Sequence, residues 1–340
     1  MATIERIERV DPKTGVRVLQ LTSFPLPHYH QYCYGQWISP DCKTLILFGY
    51  RELRRDSPVD LWRVNSDGSD LTLVAQGASW SAISVDGKWI YAGRGGSILR
   101  VPLHGEGEEE LFRSDEYAAM LVGAASLDGR HLFPHAVRPG GKHVLLRFDL
   151  STGTCERLFE TSSLMHVQLH YPDRLLASVV PPGLEYGIYT FGFNGDGFEK
   201  LPFMRSTNHY ASLGHTGKVI TTVHSGGKAI EVTKPGDKEA TILAQGEGFW
   251  HPSSDASGEW IASDTNWPDT GLMLVHAASG RYRPLCFTGA SGGHPQWSHA
   301  HPRIAPDASY VVFDSDQTGV SHVYLAFISH ELKDHLRPGR

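Results

Sequence analysis

The densest cluster of chemistry-bearing side chains in this 340-residue sequence is GGHPQWSHAHPRIAPD, residues 292–307, which contains Gln296, His299 and His301. Alternate side chains of an extended chain share a face, so the spacing predicts that His299 and His301 point the same way, with Gln296 where the strand enters. Two imidazoles and an amide oxygen are three donors for a divalent cation. A fourth lies upstream in FWHPSSDASG: His251 falls six residues before a turn position at Ser257, as His301 falls six before the one at Asp307. Imidazole with an amide oxygen and open water positions suits Mn, Fe, Ni or Zn better than Ca or Mg. A plainer role is open to the same histidines, capping turns and bonding carbonyls around a polar channel.

For His251 and His301 to meet, the chain must repeat, and it does. A polar residue, a turn and an apolar strand recur as SPDCKTLIL from Ser39, SVDGKWIYA from Ser84 and SLDGRHLFP from Ser126. Weaker copies follow as YPDRLLASV from Tyr171, GHTGKVITT from Gly214, DASGEWIAS from Asp255 and APDASYVVF from Ala305. The turn positions Asp41, Asp86, Asp128, Asp173, Thr216, Ser257 and Asp307 differ by 45, 42, 45, 43, 41 and 50. A second series interleaves with the first, for example LWRVNSDGSDLTLV from Leu61 and LLRFDLSTGTCERLF from Leu145, each with the strand–turn–strand signature of a hairpin. Two hairpins per unit give four strands, and seven units give an all-β, seven-bladed propeller. The seventh unit runs out before its last strand, whereas DPKTGVRVLQLT near the start reads as the missing half. The N-terminal strand is therefore predicted to complete the last blade and close the ring, in one domain spanning 1–340, with no linker, low-complexity tract or amphipathic helix.

The composition bounds the function. With 31 Lys+Arg against 37 Asp+Glu and a net charge of -6, the chain lacks the basic excess that nucleic-acid binding needs. No apolar run approaches the roughly 18 to 20 residues of a membrane span. The opening MATIERIERV is charged where a signal peptide is apolar, which predicts a cytoplasmic protein. Cys33, Cys42, Cys155 and Cys286 have no C-x-x-C spacing and read as small reduced side chains. No signal fixes an oligomeric state.

The sequence resembles the oligogalacturonate lyases, seven-bladed propeller enzymes of pectin breakdown. The resemblance is carried by TGVRVLQLTSFPLPHYHQY near the start, by HPSSDASGEWIASD in the sixth repeat, and by Q-x-x-H-x-H-P followed by APDASYVVFDSDQTGVSHVYL in the seventh. It spreads over most of the chain and is tightest in the last hundred residues. In that family a manganese ion is held by a histidine on one blade and the Gln, His and His of the next, which here correspond to His251, Gln296, His299 and His301. The chemistry implied is β-elimination on an oligosaccharide of uronic acids. A divalent cation, most naturally Mn2+, neutralises the carboxylate beside C5 while a base removes the C5 proton. Histidine suits that base, and the family's catalytic histidine corresponds to His209 in STNHYASLGHTG. His28 and His30, in LPHYHQY, resemble family residues near the substrate, with turn capping as the other reading. The arginine with which the family stabilises charge is replaced by Gly187 in EYGIYTF; Arg205, four residues before His209, is the nearest substitute. An acidic His-Glu-Gly segment of the family is replaced by VVPPGLE, a rebuilt substrate-facing side.

Other motifs carry less. GASGG, residues 289–293, fits G-x-S-x-G, yet HPQWSHAHP cannot start the helix that a nucleophile elbow at Ser291 requires. GEGEEE, residues 105–110, reads as a solvated hairpin tip. Trp80, Trp250, Trp260 and Trp297 are candidates for either sugar stacking or blade packing. The rival class is a TolB-like or WD40-like propeller that binds a sugar or protein without chemistry. Metal-dependent isomerase or hydrolase chemistry at the same site is a third reading.

Overall fold

The recurring polar turn caps itself. Ser39, Ser84 and Ser126 donate through Oγ to the carboxylates of Asp41, Asp86 and Asp128 (2.6, 2.6 and 2.5 Å). Each hydroxyl also accepts the backbone N–H five residues on, at Thr44, Trp89 and His131 (2.9, 3.0 and 2.8 Å). The residue after the turn position is left-handed in six of the seven copies, at Cys42, Gly87, Gly129, Gly217, Gly258 and Ala308 (φ 58, 68, 70, 71, 73 and 55°). Glycine therefore recurs there because it adopts positive φ without the Cβ clash. Each turn ends one innermost strand and launches the next strand outward.

The computed structural model describes residues 6–203, 207–223, 227–266, 268–293 and 296–338. These form seven antiparallel sheets around an axis, as the repeat predicts. The innermost strands are His28–His30, Ser79–Ile83, Ala119–Leu121, Leu164–His170, Thr207–Ser212, Phe249–Ser254 and Arg303–Ile304, in blades 1 to 7. In blade 3 the second strand is split into His131–Leu132 and His135–Val137, because Pro134 between them has no N–H to donate.

Blade 7 is closed from the other end of the chain. Arg17–Gln20 pairs with His322–Phe327, with Leu19 opposite Leu325. Closure buries Val18 and Leu19. The N-terminus supplies a hairpin rather than one strand, since Ile7–Val10 adds a fifth position outside. The expectation of no helix is corrected at the C-terminus, where His330–Leu336 is helical, capped by Ser329, whose Oγ accepts the Leu332 N–H at 3.1 Å. Seven residues are too few to show a period. Leu332 and Leu336, four apart on one face, pack the helix onto the core of blades 6 and 7. The GEGEEE run is exposed, as its charge predicts, with Glu109 and Glu110 already inside the strand Glu109–Arg113.

Side-chain latches tie the innermost strands together. Gln31 donates through Nε2 to Ser81 Oγ (2.7 Å) while its Oε1 accepts the Ser81 N–H (2.6 Å). Gln36 clasps the backbone of Ala125 in the same two-way manner. The Ile304 N–H donates to Ser253 Oγ (3.0 Å) between blades 6 and 7. The pairing of inner and second strands shifts register at Ser79/Ser81, Met165/Gln168, Thr207/Tyr210 and Phe249/Pro252. These bulges fall near the same point of four blades and re-aim the intervening side chains, among them Trp80, His166, His209 and His251.

If the closing strand seals the ring, Leu19→Ala removes a fully buried side chain at the seam and should cost about 2–5 kcal/mol in urea unfolding, whereas Ile7→Ala on the half-exposed outer strand should cost under ~1 kcal/mol.

Candidate metal centre

His251, on the innermost strand of blade 6, and His301, just before that of blade 7, lie with ring centroids 4.2 Å apart. His299 joins them, 5.4 Å from His301 and 5.9 Å from His251. One nitrogen from each of the three lies within 4.8 Å of the others, close enough for a shared first coordination shell. His251 and His301 are buried and His299 is half-buried.

The backbone behind this convergence differs from the expectation. His299 and His301 are not on a strand: Gln296–Ser298 is a turn of 3₁₀-helix, and the His299 N–H donates to Gln296 O at 2.9 Å. His301 is left-handed, φ 43°. Pro302 has no N–H to donate, so strand pairing begins only at Arg303. A left-handed backbone beside a proline, rather than a pleat, turns His301 toward the axis.

Two carboxylates lie behind the cluster, one of them against a cluster histidine. Asp264, on the second strand of blade 6, accepts the His251 backbone N–H at 2.7 Å and lies 2.9 Å from His251 Nδ1. That contact fixes the ring and presents Nε2 to the other histidines. Burial raises the Asp264 carboxyl to about 6. Asp314, at the same point of blade 7, accepts the His30 backbone N–H at 3.1 Å, and its second oxygen lies 3.6 Å from His30 Nε2. Burial pushes the Asp314 carboxyl well up and His30 down to about 3, which disfavours the charged form of each, and the hydrogen-bond partner of His30 Nε2 is the Ala300 carbonyl at 3.4 Å. Burial and the neighbouring imidazoles hold His301 far below the usual histidine range, and its Nε2 has no hydrogen-bond partner within the protein. A neutral, buried imidazole with an unused nitrogen facing two others fits a metal ligand better than a turn cap.

Beside the cluster is a cavity of about 390 Å3 whose wall includes His209, Gln296, Tyr32, Trp80, His135 and His166. His209 lies on the bulge of blade 5, its ring 4.2 Å from that of His251. Gln296 is exposed at the same cavity. Tyr32 bridges the two groups, with its ring 4.7 Å from His301 and stacked on His166 at 5.4 Å. His30 is buried and stacked on Trp37 at 4.9 Å, with its ring 6.5 Å from that of His301, so it packs behind the cluster. His28 does not join it. Its ring is buried edge-on to Trp62 at 5.5 Å, with Nδ1 on the Leu26 carbonyl at 3.1 Å.

Arg205 lies outside the described residues. Gly187 opens the third strand of blade 4, away from the cavity wall, where an added Cβ would meet Lys200 and Tyr189 at 2.8 and 3.0 Å. Among the described residues no Arg or Lys lines the cavity. Ser291 sits in an exposed loop, its Oγ donating to Asp316 at 2.6 Å, with no strand-to-helix elbow. Of the tryptophans, Trp80 faces the cavity, Trp260 is core, Trp250 packs 5.8 Å from His209, and Trp297 lies 6.3 Å from Tyr50.

Sequence reasoning missed Asp264, Asp314, Tyr32, His166 and the pair His135–His143, whose ring nitrogens are 2.8 Å apart in the cavity wall. Signals for some were present. His166 precedes its turn position by seven residues, as His209 does, and both acids occupy the fifth place of the aligned strands WIASDT and YVVFDS.

No family model and no curated protein sequence matches the chain. Solved structures do. An oligogalacturonate lyase in complex with manganese superposes with a TM-score of 0.82 at 18% identity, covering 98% of this chain and 100% of the other. The oligogalacturonate lyase of Vibrio parahaemolyticus gives 0.80 at 18%, covering 97% and 98%. The β-propeller domain of the trilobed protease of Pyrococcus furiosus gives 0.55 at 13%, covering 88% and 94%. At these identities the likeness establishes the seven-bladed fold, shared over nearly the whole chain with oligogalacturonate lyases.

His28, His135, His166 and His170 are each pushed down to about 4 by burial. In the unfolded chain they titrate near 6.5, so below that pH the unfolded state takes up protons that the native state refuses. Their contribution is fully present above pH ~6.5 and is lost as pH falls toward 4, by at most ~1.4 kcal/mol per pH unit for each. Urea unfolding at pH 7.5, 6 and 5 should show a steep decline; an equal midpoint at all three contradicts the buried neutral histidines.

Proposed function

We propose that this protein is a metal-dependent lyase that cleaves short uronic-acid-containing oligosaccharides by β-elimination. The observation that carries the reading is the meeting of His251, His299 and His301 from two blades beside a cavity that also holds His209 and Gln296. Imidazole nitrogens with an amide oxygen suit Mn2+, and the structurally similar lyase was crystallised with manganese. His251, His299, His301 and Gln296 would hold the cation. When bound, it supplies Lewis acidity to the carboxylate next to the reacting carbon.

The remaining steps fall to the chain's own side chains. His209 takes the proton from C5 of the uronide; the electron pair forms the C4–C5 double bond, the C4–O bond breaks, and the departing oxygen acquires a proton. Asp264 keeps the His251 ring in place during the reaction, and Tyr32, Trp80 and His166 give the sugar flat surfaces and exclude water. A second reading, a sugar- or protein-binding propeller without chemistry, rests on the absence of Arg and Lys from the described cavity wall.

Absorbance near 235 nm separates the two. Digalacturonate and related uronides should give a rising signal that a chelator abolishes and Mn2+ restores. His209→Asn should lower the rate by about 10²–10⁴ while metal content is kept. A metal-loaded protein that leaves every uronide intact sinks the lyase reading and leaves the binder. Asp264→Asn should weaken metal affinity by about 10–100-fold in a competition titration; unchanged affinity removes Asp264 from the centre.

A further inference from the structure

The innermost strands have two ends, and the second end also holds a cavity. It measures about 380 Å3, and its rim is made by the turns that follow those strands, including Pro40, Val85, Leu127, Tyr171 and Pro306. The two cavities share Tyr34, Gly35 and Gly123 in their walls. Arg303 lies in the wall of this second one. Its Nη1 makes one long contact, 3.4 Å to Ser254 O, and its buried Nε has no partner. Among the described residues no carboxylate pairs with it. Asp255 shares the cavity wall, but its carboxylate accepts from Ser257 and from the Trp260 N–H (2.8 Å) within its own turn.

A guanidinium carries five N–H donors and its charge cannot be shed, so a half-buried one whose Nε is buried without a partner gains from an anion that reaches it. The fork fits a carboxylate through two parallel hydrogen bonds. One cation with Asp255 nearby favours a single negative charge over a phosphate dianion. The rim supplies the rest of the recognition, because Val85, Leu127 and Tyr171 expose 39, 36 and 40% of their surface around the opening. Tyr171 is stacked on His215 at 5.1 Å, which offers a flat apolar wall. The volume lies in the range of small-molecule sites. We propose that this mouth of the channel binds a small organic monocarboxylate, its carboxylate on Arg303 and its apolar or aromatic body against Tyr171, Val85 and Leu127. The proposal is independent of the lyase reading, since it uses none of the histidine cluster.

Isothermal titration of the full-length, Mn-loaded protein with benzoate, and with benzamide and inorganic phosphate as controls, tests it. Benzoate should bind saturably in the millimolar range or tighter, and benzamide and phosphate should not. Arg303→Gln should weaken benzoate at least about tenfold. Tyr171→Ala, at an exposed position, should weaken it several-fold with an unchanged melting temperature, so the test survives a misfolded Arg303 variant. Binding should persist in chelator. Absence of saturable benzoate binding, equal binding of benzamide, full retention in Arg303→Gln, or loss in chelator, which would put the carboxylate at the histidines, each overturns the site.

Discussion

The pairing of Arg17–Gln20 with His322–Phe327 is the interaction on which the remaining structure depends. A ring of sheets brings residues far apart in the chain to one axis only when its ends are joined, and here they are joined in blade 7, the blade that Arg303–Ile304 begins. The histidine cluster lies beside the seam, and its neighbours reach across it. His30 and Tyr32 come from blade 1, His299 and His301 from the approach to blade 7, and the His30 N–H donates to Asp314 across the boundary. A loose seam would move two walls of the site relative to each other while leaving each blade internally intact. Burial of Leu19 and the hydrogen bonds of the closing strand therefore act on the site as much as on stability.

Inside that ring, the placement of functional side chains comes from departures from regular pleating. A straight inner strand would send alternate side chains between blades, where they pack. The register shifts in blades 2, 4, 5 and 6 supply extra residues near one depth of the channel, and Trp80 and His166 are held at φ 41 and 57° there. Tyr32 and His301, at φ 84 and 43°, do the same on the other side of the seam. Three of these bulky residues, Tyr32, Trp80 and His166, line one cavity and the fourth, His301, lies beside it, so strain is concentrated where ligands would bind and sustained by the well-packed blades around it.

Much of this was legible in the sequence, and what was not has a physical reason. The repeat of turns is legible because most copies need a self-capping Ser, Thr or Asp and six of the seven need a left-handed residue, constraints that few residue types satisfy. His251 and His301 are legible because equivalent positions on neighbouring blades meet around the axis. The backbone of H-x-H was misjudged, since a two-residue period cannot distinguish a strand from a proline-bounded turn that brings the same rings together. His28 and His30 look equivalent at a spacing of two, yet one packs on Trp62 and the other on Trp37, a distinction made by neighbours from other parts of the chain. The two acids behind the histidines sit on second strands, where an apolar run containing one Asp reads as an ordinary buried strand. The terminal helix was too short to register as a period.

The electrostatics of the cluster bear on what it is suited to do. His209, His251 and His301 follow one another at centroid separations of 4.2 Å, with His299 within 6 Å of two of them. Protonating one imidazole in such a group raises the cost of protonating the next, and burial together with the neighbouring imidazoles holds His301 well below the usual histidine range. Neutral imidazole is the form that donates a lone pair to a cation, and also the form that accepts a proton. In the proposed reaction three of these rings would be ligands and His209, on the cavity side, would be the base. A cation bound by the three would repel a proton from His209 and lower its basicity, while stabilising negative charge that develops on a uronate nearby. In that reading, proximity of base and ligands would be a compromise between the two effects, with His209 on blade 5 and His251 on blade 6.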